Sequence, residues 1–247
     1  MRNPRLFTDQ PLTPGDQVVL EGTVAQHLGR VLRARAGEQI ALFNGDGREF
    51  AAKVLSVSKR EVIVDIGAAT TPQTESPVHT TLGLCLSKGD RFDWAIQKAT
   101  ELGVGAVTPL YSERIDFNIP PDRIEKRVAH WRQIAISACE QCGRVKVPSI
   151  TPPQPLLSWV QKVSAEQKWL LHCANDTGAP ATAVTHSAPR EAALLIGPEG
   201  GLTDKERHAA SAEGFQLLQL GPRVLRTETA PATALSVLSV FWGEMPS

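Results

Sequence analysis

A small β domain followed by an α/β domain with a mostly parallel sheet is the architecture this sequence predicts, and three observations carry it. Residues 18–66 break into short β-branched or alternating runs, "QVVLEG" and "EQIALFNGDGREFAAKVLSVSKREVIVDI", with "NGDG" and the charged "SKRE" as turns. From residue 78 onward, strand-length apolar runs alternate with stretches of helical periodicity, the rhythm of helices packed on a parallel sheet. Between the two, "GAATTPQTESP" at 67–77 is short of apolar bulk and rich in Thr and Pro, so it marks the boundary.

In the first part the pattern predicts a small antiparallel barrel or sheet. One helical segment, "TVAQHLGRVLRA", interrupts it and carries Arg30, Arg33 and Arg35. Arg30 and Arg33 stand three apart and are expected to share a helix face, with Arg35 past its end. In the second part "VHTTLGLCLS", "GAVTPLYS", "QKWLLHC", "EAALLI" and "FQLLQLG" are expected strands. "DRFDWAIQKATELG" is an expected helix, with Phe92, Ile96, Ala99 and Gly103 on one face. A longer helix follows in "PPDRIEKRVAHWRQIAISACEQCG", where Ile124, Val128, Trp131, Ala135 and Ala138 form an apolar stripe. "DKERHAASAEG" is a third, with Thr203 as N-cap and Glu206 as its capping-box partner. The last helix, after "LGPRVLRTETA", has so little polar face that the core or a second copy must cover it.

The 247 residues are 42% hydrophobic and 21% charged, with 26 basic and 26 acidic side chains, so no global positive field announces nucleic acid. Any nucleic-acid site must be local. No apolar run approaches the roughly 20 residues that span a membrane, and "MRNPRLFTDQPL" lacks a signal-peptide core, so a cytoplasmic protein is expected. Of the four cysteines only Cys139 and Cys142 are close in sequence, and neither a second pair nor spaced histidines complete a zinc set. Plain thiols are expected there.

The chemistry concentrates in two strand ends, "LLIGPEGG" and "LQLGPRVLRTE", each a turn leading into a helix. In open α/β sheets ligands sit at such C-terminal edges. Neither stretch is a dinucleotide fingerprint, and the Walker pattern is absent from the chain. Pro198 lacks an N–H and Glu199 adds a negative charge, which suits a ligand without phosphates. An adenosyl group with a ribose and a cationic centre fits such a loop, and S-adenosylmethionine has those parts. The plainer readings are a Gly-rich connector and, for Glu199, a helix-dipole contact.

Together "LLIGPEGGLTDKE", "LGPRVLRTETA" and "IAISACEQCGR", supported by "NPRLF", "HLGRVLR", "IQKATELGV" and "PLYSER", resemble the RsmE-type methyltransferases of the SPOUT superfamily. The resemblance covers nearly the whole chain. It implies methylation of N3 of one uridine in 16S ribosomal RNA of the small (30S) subunit. It also implies a PUA-like β-barrel for residues 1–72, a trefoil-knotted α/β methyltransferase domain for 73–247, and a homodimer. S-adenosylmethionine would be held by Leu195, Ile196, Gly197, Pro198, Glu199, Gly200 and Gly201 of one loop. Leu220, Gly221, Val224, Leu225, Arg226, Thr227 and Thr229 form the second, with His172 on a third. "ANDTG" after Cys173 departs from the family's acidic and basic residues there, and Pro231 replaces a smaller residue, although proline suits a helix's first turn.

Uracil N3 is a poor nucleophile until its proton is lost, so a group must accept that proton or stabilise the anion. Arg144 or Arg226 is expected to stabilise the anion, since arginine keeps its charge and donates in pairs. Glu228 or Glu199 is expected to position groups or take the proton. For Arg226 an ion pair or phosphate contact is the competing reading. Arg30, Arg33, Arg35, Arg114 and Arg144 are the candidate RNA contacts. A relative acting on ribose 2′-O and a non-catalytic ribosome-assembly factor remain the rival functions.

Overall fold

The computed structural model describes residues 3–172 and 187–244, the side chain of His172 excepted. The chain divides into two compact units. The first runs to Glu75 and takes in Cys139–Val147; the second comprises Ser76–Ala138 and the chain from Pro148 onward.

In the first unit β1 (Arg5–Phe7), β2 (Gln17–Glu21), β3 (Gln39–Phe43), β4 (Glu49–Val57) and β5 (Glu61–Thr70) form one sheet in the order β1-β3-β4-β5-β2. Side chains alternate along it: Phe50, Ala52 and Val54 of β4 and Val62, Val64 and Ile66 of β5 are buried, whereas Ala51, Lys53 and Leu55 are exposed. A slip of one residue would turn that set to water, and this fixes the register. The sheet differs from the antiparallel expectation at one edge, because β1 pairs with β3 in parallel. The order is also an open path between β1 and β2 among the described residues, not a closed ring.

Helix α1 (Gly22–Gln26) covers this core and passes into a π-helical turn over His27–Val31, closed by the Leu32 N–H on the His27 carbonyl at 3.0 Å. The expected helix therefore stops short of Arg33. That residue sits at φ 52°, left-handed, so Arg30 and Arg33 do not share a helix face.

Inclusion of Cys139–Val147 in this unit has a side-chain cause. The buried guanidinium of Arg5 donates to the carbonyls of Cys139, Glu140, Gly143 and Arg144 at 2.7 to 3.1 Å. It thereby ties together the carbonyls of a helix end and of the loop just past it, where intrahelical donors run out.

The second unit holds β6 (His79–Cys85), α2 (Arg91–Glu101), β7 (Ala106–Tyr111), α3 (Pro121–Cys142, whose last turn belongs to the first unit), β8 (Ser149–Ile150), β9 (Gln154–Pro155) and α4 (Leu156–Lys162). After these come β10 (Gln167–His172), β11 (Glu191–Ile196), α5 (Asp204–Ala212), β12 (Gln216–Gln219) and α6 (Thr229–Phe241). The sheet order is β12-β10-β11-β6-β7-β8, with β9 also on β7, and every pairing is parallel. Strands buried on both faces read as continuous apolar runs, as "AALLI" of β11 does. The two short strands and α4 carry no pattern long enough to read from sequence.

Gly83 in β6 is required by close approach, because a Cβ there would lie 2.5 Å from the Trp159 ring of α4. The apolar α6 buries Ala230, Ala234, Leu235 and Leu238 and packs on α2, while Val240 stays 42% exposed. Thr203 and Glu206 form the expected capping box at the start of α5. Glu206 is almost fully buried, and it also accepts the Glu113 N–H at 2.9 Å.

Candidate functional site

Because β12, β10 and β11 are adjacent and parallel, the segments that follow them leave the sheet at one C-terminal edge. The first, Gly197–Thr203, turns tightly through a Gly201 N–H to Pro198 carbonyl bond of 2.9 Å, with Gly201 at φ 69°. The second, Leu220–Glu228, turns at Gly221, φ 100°. His172 ends β10 opposite Gln219, so its backbone stands at the same edge; its side chain and the "ANDTG" segment lie outside the described residues.

A cavity of about 330 Å³ opens between these two loops. From the first loop Ile196, Gly197, Pro198, Glu199 and Gly201 line it, and from the second Leu220, Val224, Leu225, Arg226, Thr227 and Glu228. Other expected residues stand beside it. Leu195 is in the core under the loop, Gly200 faces a neighbouring groove, Gly221 makes the turn, and Thr229 opens α6. Sequence reading missed Arg91, Leu170, Leu171, Leu202, Arg207, Arg223 and Ala230, which also line the cavity. Their only local signal was an apolar side chain or a charge, neither of which marks a site.

The polar groups of the cavity are few. Thr227 is buried. The Arg226 guanidinium, 79% exposed, lies 3.8 Å from one carboxylate oxygen of Glu228, whose side chain is 15% exposed. The other Glu228 oxygen is buried and has no hydrogen-bond partner among the described residues. A buried carboxylate oxygen in that state points to a donor supplied from outside the chain. Arg91 donates to Glu199 at 2.8 Å across the mouth, and Arg207 pairs with Asp204. Leu170, Leu171, Ile196 and Leu225 supply the apolar wall.

Arg144 is held elsewhere. It belongs to the first unit, is 4% exposed, and donates from Nε and Nη2 to one oxygen of Glu75 at 3.0 and 2.8 Å. It does not line the cavity. Of the candidate RNA contacts, Arg30 and Arg35 are exposed on the first unit beside the left-handed Arg33, and the Arg35 N–H is bonded to Glu38. In the second unit Arg114 donates from Nη1 to the Gly200 carbonyl at 2.7 Å, so it braces the first loop.

Near the site burial pushes the Cys85 thiol up, Glu206 adding to the effect, so this cysteine is no nucleophile.

Comparison with known proteins gives the same picture. A family model described as an RNA methyltransferase domain matches residues 74–239, and an RNA methyltransferase PUA domain matches residues 20–67. The chain is 30% identical over 247 residues to the ribosomal RNA small subunit methyltransferase E of Buchnera aphidicola subsp. Schizaphis graminum, covering 99% of this chain and 98% of that one. Its likeness to the Bacillus subtilis protein of the same name is 32%, covering 94% and 93%. Among solved structures, a methyltransferase from Legionella pneumophila in complex with the cofactor SAM superposes with a TM-score of 0.91 at 40% identity, covering 97% of this chain and 98% of that one. The ribosomal RNA small subunit methyltransferase E from Neisseria gonorrhoeae, bound to S-adenosyl methionine, gives 0.90 at 36%, covering 98% of each. The chain belongs to the RNA methyltransferase family that includes ribosomal RNA small subunit methyltransferase E.

Proposed function

We propose that this protein transfers a methyl group from S-adenosylmethionine to N3 of a specific uridine in the 16S RNA of the small ribosomal subunit. The observation that carries the reading is the cavity between the two Gly-Pro loops, with a Glu228 oxygen that has no partner among the described residues buried at its wall. That donor set fits the cofactor. The apolar wall suits an adenine face, backbone groups of the Gly loops suit its edge, and the Glu228 carboxylate can accept from a ribose hydroxyl or an amine. Arg223 and Arg226, exposed at the rim, suit a carboxylate. When bound, S-adenosylmethionine supplies an electrophilic methyl on a sulfonium.

The chain's task is then to bind and orient, to exclude water and to manage one proton. Val224, 63% exposed on the second loop, is placed to cover a ligand. On this reading Arg226 and Glu228 hold and orient the cofactor, and Arg144 takes a structural role, because a guanidinium occupied by Glu75 has no free face for a base. The RNA-binding roles of Arg30, Arg33 and Arg35 rest on their exposure and charge.

The same reading includes a PUA-like domain over residues 1–72, a trefoil knot in 73–247, a homodimer and a cytoplasmic site of action. Supporting these are the match to a PUA domain, the placement of β10 between β11 and β12, the exposed Val240 of α6, and the absence, among the described residues, of any helix long and apolar enough to cross a membrane.

The test is transfer of labelled methyl from S-adenosylmethionine to unmodified 30S subunits and to naked ribosomal RNA, followed by nucleoside mass spectrometry. N3-methyluridine at one position is the expected product. Label on a ribose would favour the 2′-O rival, and cofactor binding without transfer to either substrate would favour an assembly factor.

A further inference from the structure

A second groove, of about 630 Å³, lies in the same α/β unit beside the cofactor cavity. Its walls come from the segments after β6 and β7, the next strands along the C-terminal edge after β11. Arg91 and Glu199 line both spaces, so this pair is their common boundary. Arg91 Nη1 and Glu199 Oε1 are 2.8 Å apart, yet the side chains remain 48% and 45% exposed. An ion pair so exposed is weak and opens readily.

Besides the pair, four charged side chains line the groove from the β6 and β7 segments: Lys88, Asp90, Arg114 and Asp116. Their signs balance, so the groove is not a general polyanion track. Among the described residues it holds one aromatic ring, Phe117, half-buried, with Lys88 Nζ 5.9 Å from the ring centroid. A ring in a groove that also holds cations and carboxylates offers a face for one base and polar groups for its edge.

Resting on the function proposed above, we propose that this groove receives the acceptor uridine, unstacked from its RNA, with its base on Phe117. At the shared boundary Glu199 takes the N3 proton and Arg91 holds the charge that develops on the uracil oxygens. The N3–H bond breaks, its proton passes to the Glu199 carboxylate, and its electron pair forms the N–CH3 bond. The methyl's bond to the sulfonium sulfur breaks at the same time, that pair staying on sulfur as a neutral thioether, and Glu199 returns the proton to water. Glu228 is not placed for this step, since it lines the cofactor cavity alone. Arg91 stands 108 residues from Glu199 in sequence.

Two measurements on the full chain test this. In the first, target RNA carrying 5-iodouridine at the acceptor position is irradiated with the protein and the adduct is mapped; attachment at Phe117 is expected, lost in Phe117→Ala. In the second, single-turnover methylation at saturating cofactor is followed for Glu199→Gln and Phe117→Ala. Glu199→Gln is expected to lose about 100-fold or more in rate with subunit affinity intact. 5-Fluorouridine at the target, whose N3 is more acidic, should relieve that defect far more than it speeds the wild type. Phe117→Ala should raise KM for the subunit while cofactor affinity stays unchanged. A cross-link elsewhere, a loss in Glu199→Gln below about fivefold against the range expected of a general base, or no relief by 5-fluorouridine would overturn the inference. Those results in a wild type that does form N3-methyluridine count against the groove alone, whereas a wild type that forms none brings down the functional reading itself.

Discussion

Two donors of Arg144, Nε and Nη2, converge on a single carboxylate oxygen of Glu75, at 3.0 and 2.8 Å. The second Glu75 oxygen accepts the Val145 and Lys146 backbone N–H groups at 2.9 and 3.0 Å. With side chains 5% and 20% exposed, this is a buried pair that also closes the chain after α3. Glu75→Ala removes the carboxylate that Arg144, Val145 and Lys146 all donate to and is expected to lower unfolding free energy by about 3–5 kcal/mol. Chemical denaturation measures it. A loss under about 1 kcal/mol, the range of surface ion pairs, with a large fall in methylation for Arg144→Lys, would return Arg144 to the active site.

Glu228 makes a different prediction. Its buried oxygen lacks a donor among the described residues, so the cofactor is expected to supply one. Glu228→Ala should weaken S-adenosylmethionine binding by roughly 10- to 100-fold, the worth of a hydrogen bond to a charged group, with little loss of stability. Calorimetric titration reads this directly, and an unchanged Kd would remove Glu228 from the cofactor site.

Gly83→Ala tests the packing under the sheet. Three atoms of the Trp159 indole lie within 2.5 to 2.8 Å of where the new Cβ would be, so the ring of α4 must move. Overpacking of this kind is expected to destabilise by about 1–3 kcal/mol. Thermal melting of the pair Gly83→Ala and Gly83→Ala with Trp159→Phe should show partial recovery in the second.

Cysteine chemistry follows from burial. Desolvation pushes the Cys139 thiol up to about 12, with the Arg144 charge opposing it. The thiol also points at the Lys146 carbonyl, 3.6 Å away. At pH 8 the folded protein should therefore leave Cys139 unmodified by iodoacetamide over a time in which Cys142, half-buried, is labelled. Labelling of Cys139 at a rate equal to that of the unfolded chain would contradict the burial.

Glu140 gives the pH dependence. Desolvation raises its carboxyl above the ordinary 4.5, against the lowering effect of the Phe7 N–H it accepts. A folded carboxyl that holds its proton more tightly than the unfolded one makes stability fall as pH rises from about that ordinary value through the folded pKa. Below the window both states are protonated and nothing is lost. Glu140→Gln keeps an acceptor for Phe7 and should remove this slope, so wild type and variant should diverge above the window, with the variant the more stable. Denaturation midpoints across acidic pH decide it.

Much of the second unit was legible because its signals are local. Strand-length apolar runs, the 3.6-residue stripe of α3 and the Thr203–Glu206 capping box each need only a few neighbouring residues to be read. The Gly-Pro loops were legible for the same reason, since a turn's chemistry is written in its own four residues. By contrast α4 and the strands β8 and β9 were not, being too short to show a period. The continuation of the helical pattern to Arg33 also misled, because the backbone enters a π-helical turn and then the left-handed region, where periodicity no longer holds.

The sequence by itself determined the order of elements, the two ligand-type loops and the family resemblance. Only the tertiary structure decided which of those parts meet. It set β10 between β11 and β12, brought Arg91 to Glu199 and closed Glu75 over Arg144 across 69 residues. The reason is physical: side-chain periodicity records which face of an element is buried, but not against which partner. Partner choice follows from strand order, and that order is the outcome of burying the whole core at once.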